Sequence, residues 1–332
     1  MSRVNIRKFC VAPMMGYTTP HARKLYRILS KKAFLFTEMI HSKTMIHSKT
    51  KDLIIENDKE NPIALQVGGS EFQDLAECTK IAKTYNYDEI NLNIGCPSKA
   101  VQKGNFGVCL MKDHKLVKHC LETMLESADI EVSVKCRIGI GKELNYDFFY
   151  NFVNEINNSG IRIIYVHARN AILSGISPKN NRTIPLLNYD FVTRIKKEFP
   201  HIQFILNGGI DSIDKALSLS KIHDGVMIGR LIQDNPFSLL NIDKLFFNTT
   251  TENNICEKII LEYFQYVKKR LHKDTIFRLL SPLLNIFFGF PNSKKFKTEI
   301  QSIMKNKKID VLESLFLQFI DRQQITMNFS TN

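Results

Sequence analysis

Eight short apolar runs punctuate the chain up to residue 230. They are FCVAPM (9–14), FLFTEM (34–39), IALQVG (63–68), EINLNIG (89–95), EVSVKCRIG (131–139), IIYVHAR (163–169), QFILNGG (203–209) and GVMIGR (225–230). Most are continuous rather than alternating, the pattern of parallel strands buried on both faces. Between them apolar residues recur at helical spacing, as in FQDLAECTKIAKTYN (72–86), FFYNFVNEINNSG (148–160) and NYDFVTRIKKEFP (188–200). The last two stop at Gly160 and Pro200, residue types that end helices. Eight successive β–α units predict an α/β fold, a closed (β/α)8 TIM barrel, with an open doubly wound sheet as the alternative.

After the eighth unit the rhythm changes. A polar stretch, NTTTENN (248–254), is followed by basic sequence with helical spacing, CEKIILEYFQYVKKRLHK and then KKFKTEIQSIMKNKK. The division expected is a barrel domain over 1–243 and a small C-terminal helical domain over 244–332. With 44% apolar residues in 332, the chain can build a large core. Its 46 Lys+Arg against 33 Asp+Glu leave a net charge of +13, which favours a polyanionic partner over a merely solvated lysine-rich surface. Seven cysteines (10, 78, 96, 109, 120, 136 and 256) form no CxxC pair, which fits a reducing compartment better than a zinc or disulfide framework. No apolar run reaches the ~18 residues of a membrane span, and the opening MSRVNIRKFCVAPMMG lacks a long apolar signal region. A soluble, cytoplasmic, monomeric protein is expected.

Barrels of this kind carry their active sites at the C-terminal ends of the strands. There the apolar runs give way to Pro13-Met14, Glu38, Gln66, Asn91, Asn93 and Cys96, Lys135 and Arg137, His167 and Arg169, Asn207-Gly208-Gly209, and Gly229-Arg230. Glycines after the last two strands, with Arg230 beside them, predict a phosphate-binding corner, although glycine also serves simply to turn strand into helix. Lys135 lies within an otherwise buried run and needs an anion: a carboxylate such as Glu38, or a bound anionic ring. Gln66 offers a donor and an acceptor, which suits a heterocycle edge and equally a structural hydrogen bond. His167 can be a base, a ligand donor or a core histidine. No second His or carboxylate stands at metal-ligand spacing, so no metal is expected.

Nine stretches carry a family resemblance in the right order: VAPMMGYT, LFTEM, ALQVGGS, YDEINLNIGCPSKAVQKGNFGVCLM, VSVKCRIG, IYVHAR, GISPKNNRTIPLLNY, LNGGI and DGVMIGR. With FFGFPNSKKFK (287–297) in the helical part, the chain resembles the tRNA-dihydrouridine synthases, in detail their A-type branch. The resemblance implies an FMN-bound barrel with a tRNA-binding helical domain, reducing D-loop uridines 20 and 20a to 5,6-dihydrouridine. NADPH would reduce the flavin, the flavin would pass hydride to carbon 6, and Cys96 would protonate carbon 5. By the same resemblance Pro13, Met14, Met15, Gln66, Lys135, His167, Asn207, Gly208, Gly209, Gly229 and Arg230 hold FMN. Asn93, Lys179, Arg182, Lys294 and Lys297 would contact tRNA. The chain departs from the family in Met15-Gly16-Tyr17, where Leu-Asp-Trp is frequent, and in C-terminal lysines that replace arginines and so offer point charges instead of bidentate forks.

The chemistry suits these residues. A thiol with a pKa near ~8.5 stays mostly protonated at neutral pH and can donate without prior activation. Gly104 and Gly107 read as hinges of a loop carrying Lys99 and Lys103, and the target uridine must flip out of the folded RNA. Two rivals remain at this stage. An FMN-dependent reductase of small molecules would share Lys135 and the phosphate corner but has no use for a basic helical tail. A non-catalytic RNA-binding barrel would have no need of Cys96.

Overall fold

The computed structural model describes residues 5–50, 54–249, 255–305 and 309–323. Eight strands run parallel: β1 Phe9–Val11, β2 Leu35–His41, β3 Ile63–Gly68, β4 Glu89–Ile94, β5 Glu131–Arg137, β6 Ile163–His167, β7 Gln203–Asn207 and β8 Gly225–Ile228. They hydrogen-bond in the order β1-β8-β7-β6-β5-β4-β3-β2. The ring closes where Cys10 pairs with Phe34, just ahead of β2: Phe34 N–H donates to Phe9 O at 2.9 Å and Val11 N–H to Phe34 O at 2.8 Å. The expected (β/α)8 barrel is therefore the fold, and the open sheet is not.

Every expected strand is present, but several stop short of their apolar runs. The ladder ends before Pro13, whose nitrogen cannot donate, and before Gly208 and Gly209, whose φ values of +112° and +64° leave the extended region. Helices coat the outside, and many begin at a side-chain cap. Asp113, Asn145, Asn188 and Ser212 each accept the N–H three residues on. The expected helices settle at Phe72–Thr84, Tyr146–Asn158 and Tyr189–Glu198.

Side chains alternate along a strand, so every second residue points into the barrel. On the β1, β2 and β6–β8 side the inward residues are largely apolar, with Phe34, Phe36, Tyr165, Ile205 and Met227 in one buried cluster. The Phe36 and Tyr165 rings meet edge to face, centroids 5.0 Å apart. Within β4 a carboxylate breaks the apolar filling. Glu89 is fully buried and bonded to Arg7, with Nη2 and Nε at 2.7 and 2.8 Å from Oε2. Ser133 and Tyr165 hydroxyls donate to the same carboxylate at 2.5 and 3.2 Å. Burial raises the Glu89 carboxyl against the opposing pull of Arg7, while the guanidinium, itself penalised by burial, is held protonated by Glu89.

The chain divides into two compact units. One comprises Met1–Pro20 with Ala33–Gly229, the other His21–Lys32 with Arg230–Asn332. The second unit contains the helices Ile255–Arg270, Ile276–Leu280, Ser293–Met304 and Ile309–Arg322. Its core is aromatic: Phe319 lies 4.7 Å from Phe287 and 4.4 Å from Phe296, centroid to centroid. His21 bridges Tyr266 (Nδ1 to OH, 2.7 Å) and Asp274 (Nε2 to Oδ2, 2.9 Å), joining the first helix to the later ones. Most of the polar break at 248–254 lies outside the described residues. No helix among the described residues is long and apolar enough to cross a membrane.

Phe36 is fully buried in the barrel beside Tyr165, so its truncation leaves a cavity. Phe36→Ala is expected to lower unfolding free energy by about 3–5 kcal/mol, measured by denaturant titration against the parent protein.

Candidate active site

Cys96 stands two residues beyond β4, partly exposed at the C-terminal mouth. Its main chain is held from both sides. Asn93 Oδ1 accepts the N–H of Gly95 at 3.0 Å and of Cys96 at 2.7 Å. Arg137 Nε donates to Gly95 O at 2.9 Å, and Val108 N–H donates to Cys96 O at 3.1 Å. Gly95 sits close against β5: a Cβ here would lie 3.3 Å from the Cys136 carbonyl carbon, a tight contact.

The basic loop that follows is more structured than its glycines suggest. Lys99–Lys103 form a short helix capped by Ser98, and Gly107–Lys112 form a 3-10 helix. Gly104 has an ordinary φ of −88°, so it does not act as a left-handed hinge. Its small size instead admits the Phe106 ring, which a Cβ would meet at 2.7 Å. Gly107 does need its freedom: φ is +60°, and a Cβ would fall 2.3 Å from Val101 Cγ1 and 2.9 Å from Cys96 O.

β5 delivers two cations beside the thiol. Lys135 Nζ donates to the neutral Asn207 Oδ1 at 3.2 Å, and burial with neighbouring Arg137 pulls its pKa down to about 8. Glu38, the carboxylate considered as its partner, instead accepts Gly16 N–H at 2.5 Å and pins the loop after β1. That loop turns tightly, Tyr17 and Thr18 N–H both donating to Met14 O, with Pro13 and Met14 partly buried and Met15 66% exposed. Arg137 is buried and donates to three carbonyls, those of Gly95, Asn170 and Asn181; burial lowers its pKa to about 10. Cys96 acts electrostatically on both cations, which puts all three in one neighbourhood.

Gln66 is engaged at both ends, donating to Asn91 Oδ1 and accepting from Asn93 Nδ2, each at 2.8 Å. Either end keeps one further hydrogen-bonding position. Asn207 donates to Met227 O at 2.7 Å while receiving Lys135, so its orientation is fixed. At the glycine corner a Cβ on Gly208 would come 2.7 Å from His167 Cδ2, and one on Gly209 2.7 Å from Leu187 Cδ2. A Cβ on Gly229 would come 3.2 Å from Met14 Sδ. Tyr189 OH secures the corner by donating to Gly208 O at 2.6 Å. The glycines let His167, Leu187 and Met14 pack close to the main chain here, with the ammonium of Lys135 nearby on Asn207. Arg230 is exposed at the start of the next helix.

Lys179 and Arg182 are both exposed on the loop after β6. Between them Asn181 is buried and ties the loop down, bonding both N–H and C=O of Ile172 at 2.8 and 2.9 Å. In the second unit Lys294 and Lys297 line a cleft of about 340 Å³ walled by Phe287, Phe288, Phe296 and Phe316. Lys294 is exposed, whereas Lys297 Nζ donates to Asn285 Oδ1 at 2.7 Å. Among the described residues no group of three or more His, Cys, Asp or Glu is placed to hold a metal. Asn170, Asn181, Ser133 and Tyr189 are the residues that sequence reading passes over. Glu89 and Ser133 had one signal, a polar residue within an apolar run.

Fold and mouth together place the chain among closed (β/α)8 barrels with a thiol-bearing polar mouth and a glycine-built corner after the last two strands. Solved structures of similar fold include a morphinone reductase (TM-score 0.51, 10% identity, 74% of this chain and 87% of that one). An old yellow enzyme homologue from Zymomonas mobilis aligns likewise (TM-score 0.52, 10% identity, 76% and 92%). The chain belongs to the dihydrouridine synthase (Dus) family, whose profile matches residues 10–324. A tRNA-dihydrouridine(20/20a) synthase of Escherichia coli (strain K12) is 39% identical over 292 residues, 87% of this chain and 84% of that protein. The protein of that name from Vibrio vulnificus (strain CMCP6) is 39% identical over 295 residues, 88% and 90% respectively.

Two outcomes follow from this geometry. Gly107→Ala forces a left-handed alanine against Val101 and Cys96 O, and is expected to cost about 1–3 kcal/mol and to alter the rate at which iodoacetamide alkylates Cys96. Lys135 gives a pH signature. Its folded pKa of about 8 lies below the ordinary ~10.4, so between these values the unfolded chain binds the extra proton and stability rises with pH. Lys135→Met removes that rise: ligand-free unfolding titrations should show parent and variant diverging most below pH ~8 and their difference shrinking towards pH ~10.

Proposed function

We propose that this chain is a tRNA-dihydrouridine synthase that reduces uridines 20 and 20a in the D-loop, acting in the cytoplasm as a monomer. Family membership and relatives of that name over almost their whole length support the substrate class. The observation that carries the chemical reading is Cys96 at the barrel mouth, its main chain held by Asn93 and, through Gly95 O, by Arg137, with Lys135 on the same strand as Arg137. A bound FMN, reduced by NADPH, would supply hydride to carbon 6 of the base. Its holders would be the mouth residues Pro13, Met14, Met15, Gln66, Lys135, His167 and Asn207, with Gly208, Gly209, Gly229 and Arg230 for the phosphate.

The chain's own residues then have definite tasks. Cys96 holds the proton destined for carbon 5, on the face of the base away from the ring system. Giving it up leaves a thiolate, and the ammonium and guanidinium nearby stabilise that charge without having to move. Lys135 serves twice, because its ammonium also favours an anionic ligand at the corner. Asn93 keeps the thiol's main chain in place and retains one Nδ2–H for the base. Lys179 and Arg182 in the barrel unit, and Lys294 and Lys297 in the helical part from residue 244, are assigned to the RNA backbone. A net charge of +13 supports such a partner, whose binding weakens as salt rises.

The test is incubation with unmodified tRNA and NADPH, followed by nuclease digestion and mass spectrometry. Dihydrouridine at positions 20 or 20a is expected, with Cys96→Ala slower by about 10²–10⁴-fold. NADPH oxidation without dihydrouridine would overturn the reading in favour of a small-molecule reductase.

A further inference from the structure

Five side chains inside the barrel form one unbroken line of hydrogen bonds from its floor to the active-site loop. Ser133 Oγ donates to Glu89 Oε1 at 2.5 Å and accepts from Asn91 Nδ2 at 2.7 Å. Asn91 Oδ1 accepts from Gln66 Nε2, and Gln66 Oε1 accepts from Asn93 Nδ2, each at 2.8 Å. Asn93 Oδ1 then receives the amides of Gly95 and Cys96. Strand register makes the line: Gln66 pairs with Asn91 across β3 and β4, and Asn91 with Ser133 across β4 and β5. Glu89, Asn91, Gln66 and Ser133 are each 1% exposed or less, so no water can replace a missing member cheaply.

The line has one direction, and both ends enforce it. An ionised carboxylate only accepts, and a backbone N–H only donates. With Arg7 on Glu89, the single Ser133 proton must point to the carboxylate, so Asn91 must turn its NH2 to Ser133 and its oxygen to Gln66. The same reasoning orients Gln66 and then Asn93. Reversing any one amide sets donor against donor at one joint and acceptor against acceptor at the next.

We propose that Glu89, Ser133 and Asn91 are positioning residues: they polarise this line so that Asn93 presents its oxygen to Gly95 and Cys96 and fixes the thiol at the mouth. The catalytic consequence rests on Cys96 being the acid as proposed above; the positional one does not.

Two variants each break one joint. Ser133→Ala removes the relay hydroxyl, and Ser133→Thr restores it. Asn91→Asp keeps the shape and the acceptor for Gln66 but sets a second acceptor against Ser133. Hydrogen–deuterium exchange of the peptide bearing the Gly95 and Cys96 amides, measured on the flavin-loaded protein, should quicken by about 5–10-fold in Ser133→Ala and Asn91→Asp. With tRNA as substrate, kcat should fall by about 10–100-fold while KM stays within about twofold, and Ser133→Thr should recover most of both losses. If Ser133→Ala does not fold, Asn91→Asp carries the test alone. Folded variants with parental exchange at those amides overturn the proposal, whatever their activity. Quickened exchange together with a fully active Cys96→Ala would uphold the line and overturn only the role given to the thiol.

Discussion

A carboxylate sealed inside a protein must be answered by a cation and by hydrogen-bond donors, or it will not stay charged. Glu89 is answered on all sides, by Arg7 from the segment before β1, Ser133 from β5 and Tyr165 from β6. One side chain therefore ties four parts of the barrel together at its floor. Removing it would strand a buried guanidinium, which is why such pairs cost about 3–5 kcal/mol to break even when they add little as intact pairs. The same carboxylate fixes which way the amides above it can face. Floor and mouth are thus parts of one polar construction.

The interior is divided by this construction. One side holds Phe34, Phe36 and Met227, closely packed and without polar atoms to satisfy. The other is a column of amides and hydroxyls that ends at the thiol. Apolar packing makes the barrel stable, and the polar column makes one loop conformation preferable to its neighbours. Lys135 and Arg137 stand at the top of that column, where burial weakens their hold on protons.

Much of this was legible in sequence, and what was not has a common cause. Continuous runs such as IALQVG and EINLNI announce strands buried on both faces, and all eight appear where expected. Cys96, Lys135, Asn207 and the two glycine turns could be noticed because each ends an apolar run with a residue that a plain strand does not require. Partners were beyond reach. Gln66, Asn91 and Ser133 lie 25 and 42 positions apart, and only strand register reveals that they are neighbours. The choice of Asn207 over Glu38 for Lys135 depends on the turn at Gly16, which engages Glu38 first. Gly104 resembled a hinge because a single letter cannot show the Phe106 ring packed against it.

Arg137 has a consequence of its own. Its guanidinium is shared by the carbonyls of Gly95, in the turn after β4, and of Asn170 and Asn181, both on the loop after β6. The loop displaying Lys179 and Arg182 and the turn carrying Cys96 are therefore fastened by this guanidinium, and Gln102 Nε2 adds a second tie by donating to Pro97 O and Leu173 O at 2.9 and 3.1 Å. A cut in the backbone of the first would be felt as slack in the second, although neither is continuous with the other. A displacement of that loop would reach, through the guanidinium, the turn that carries the sulfur atom.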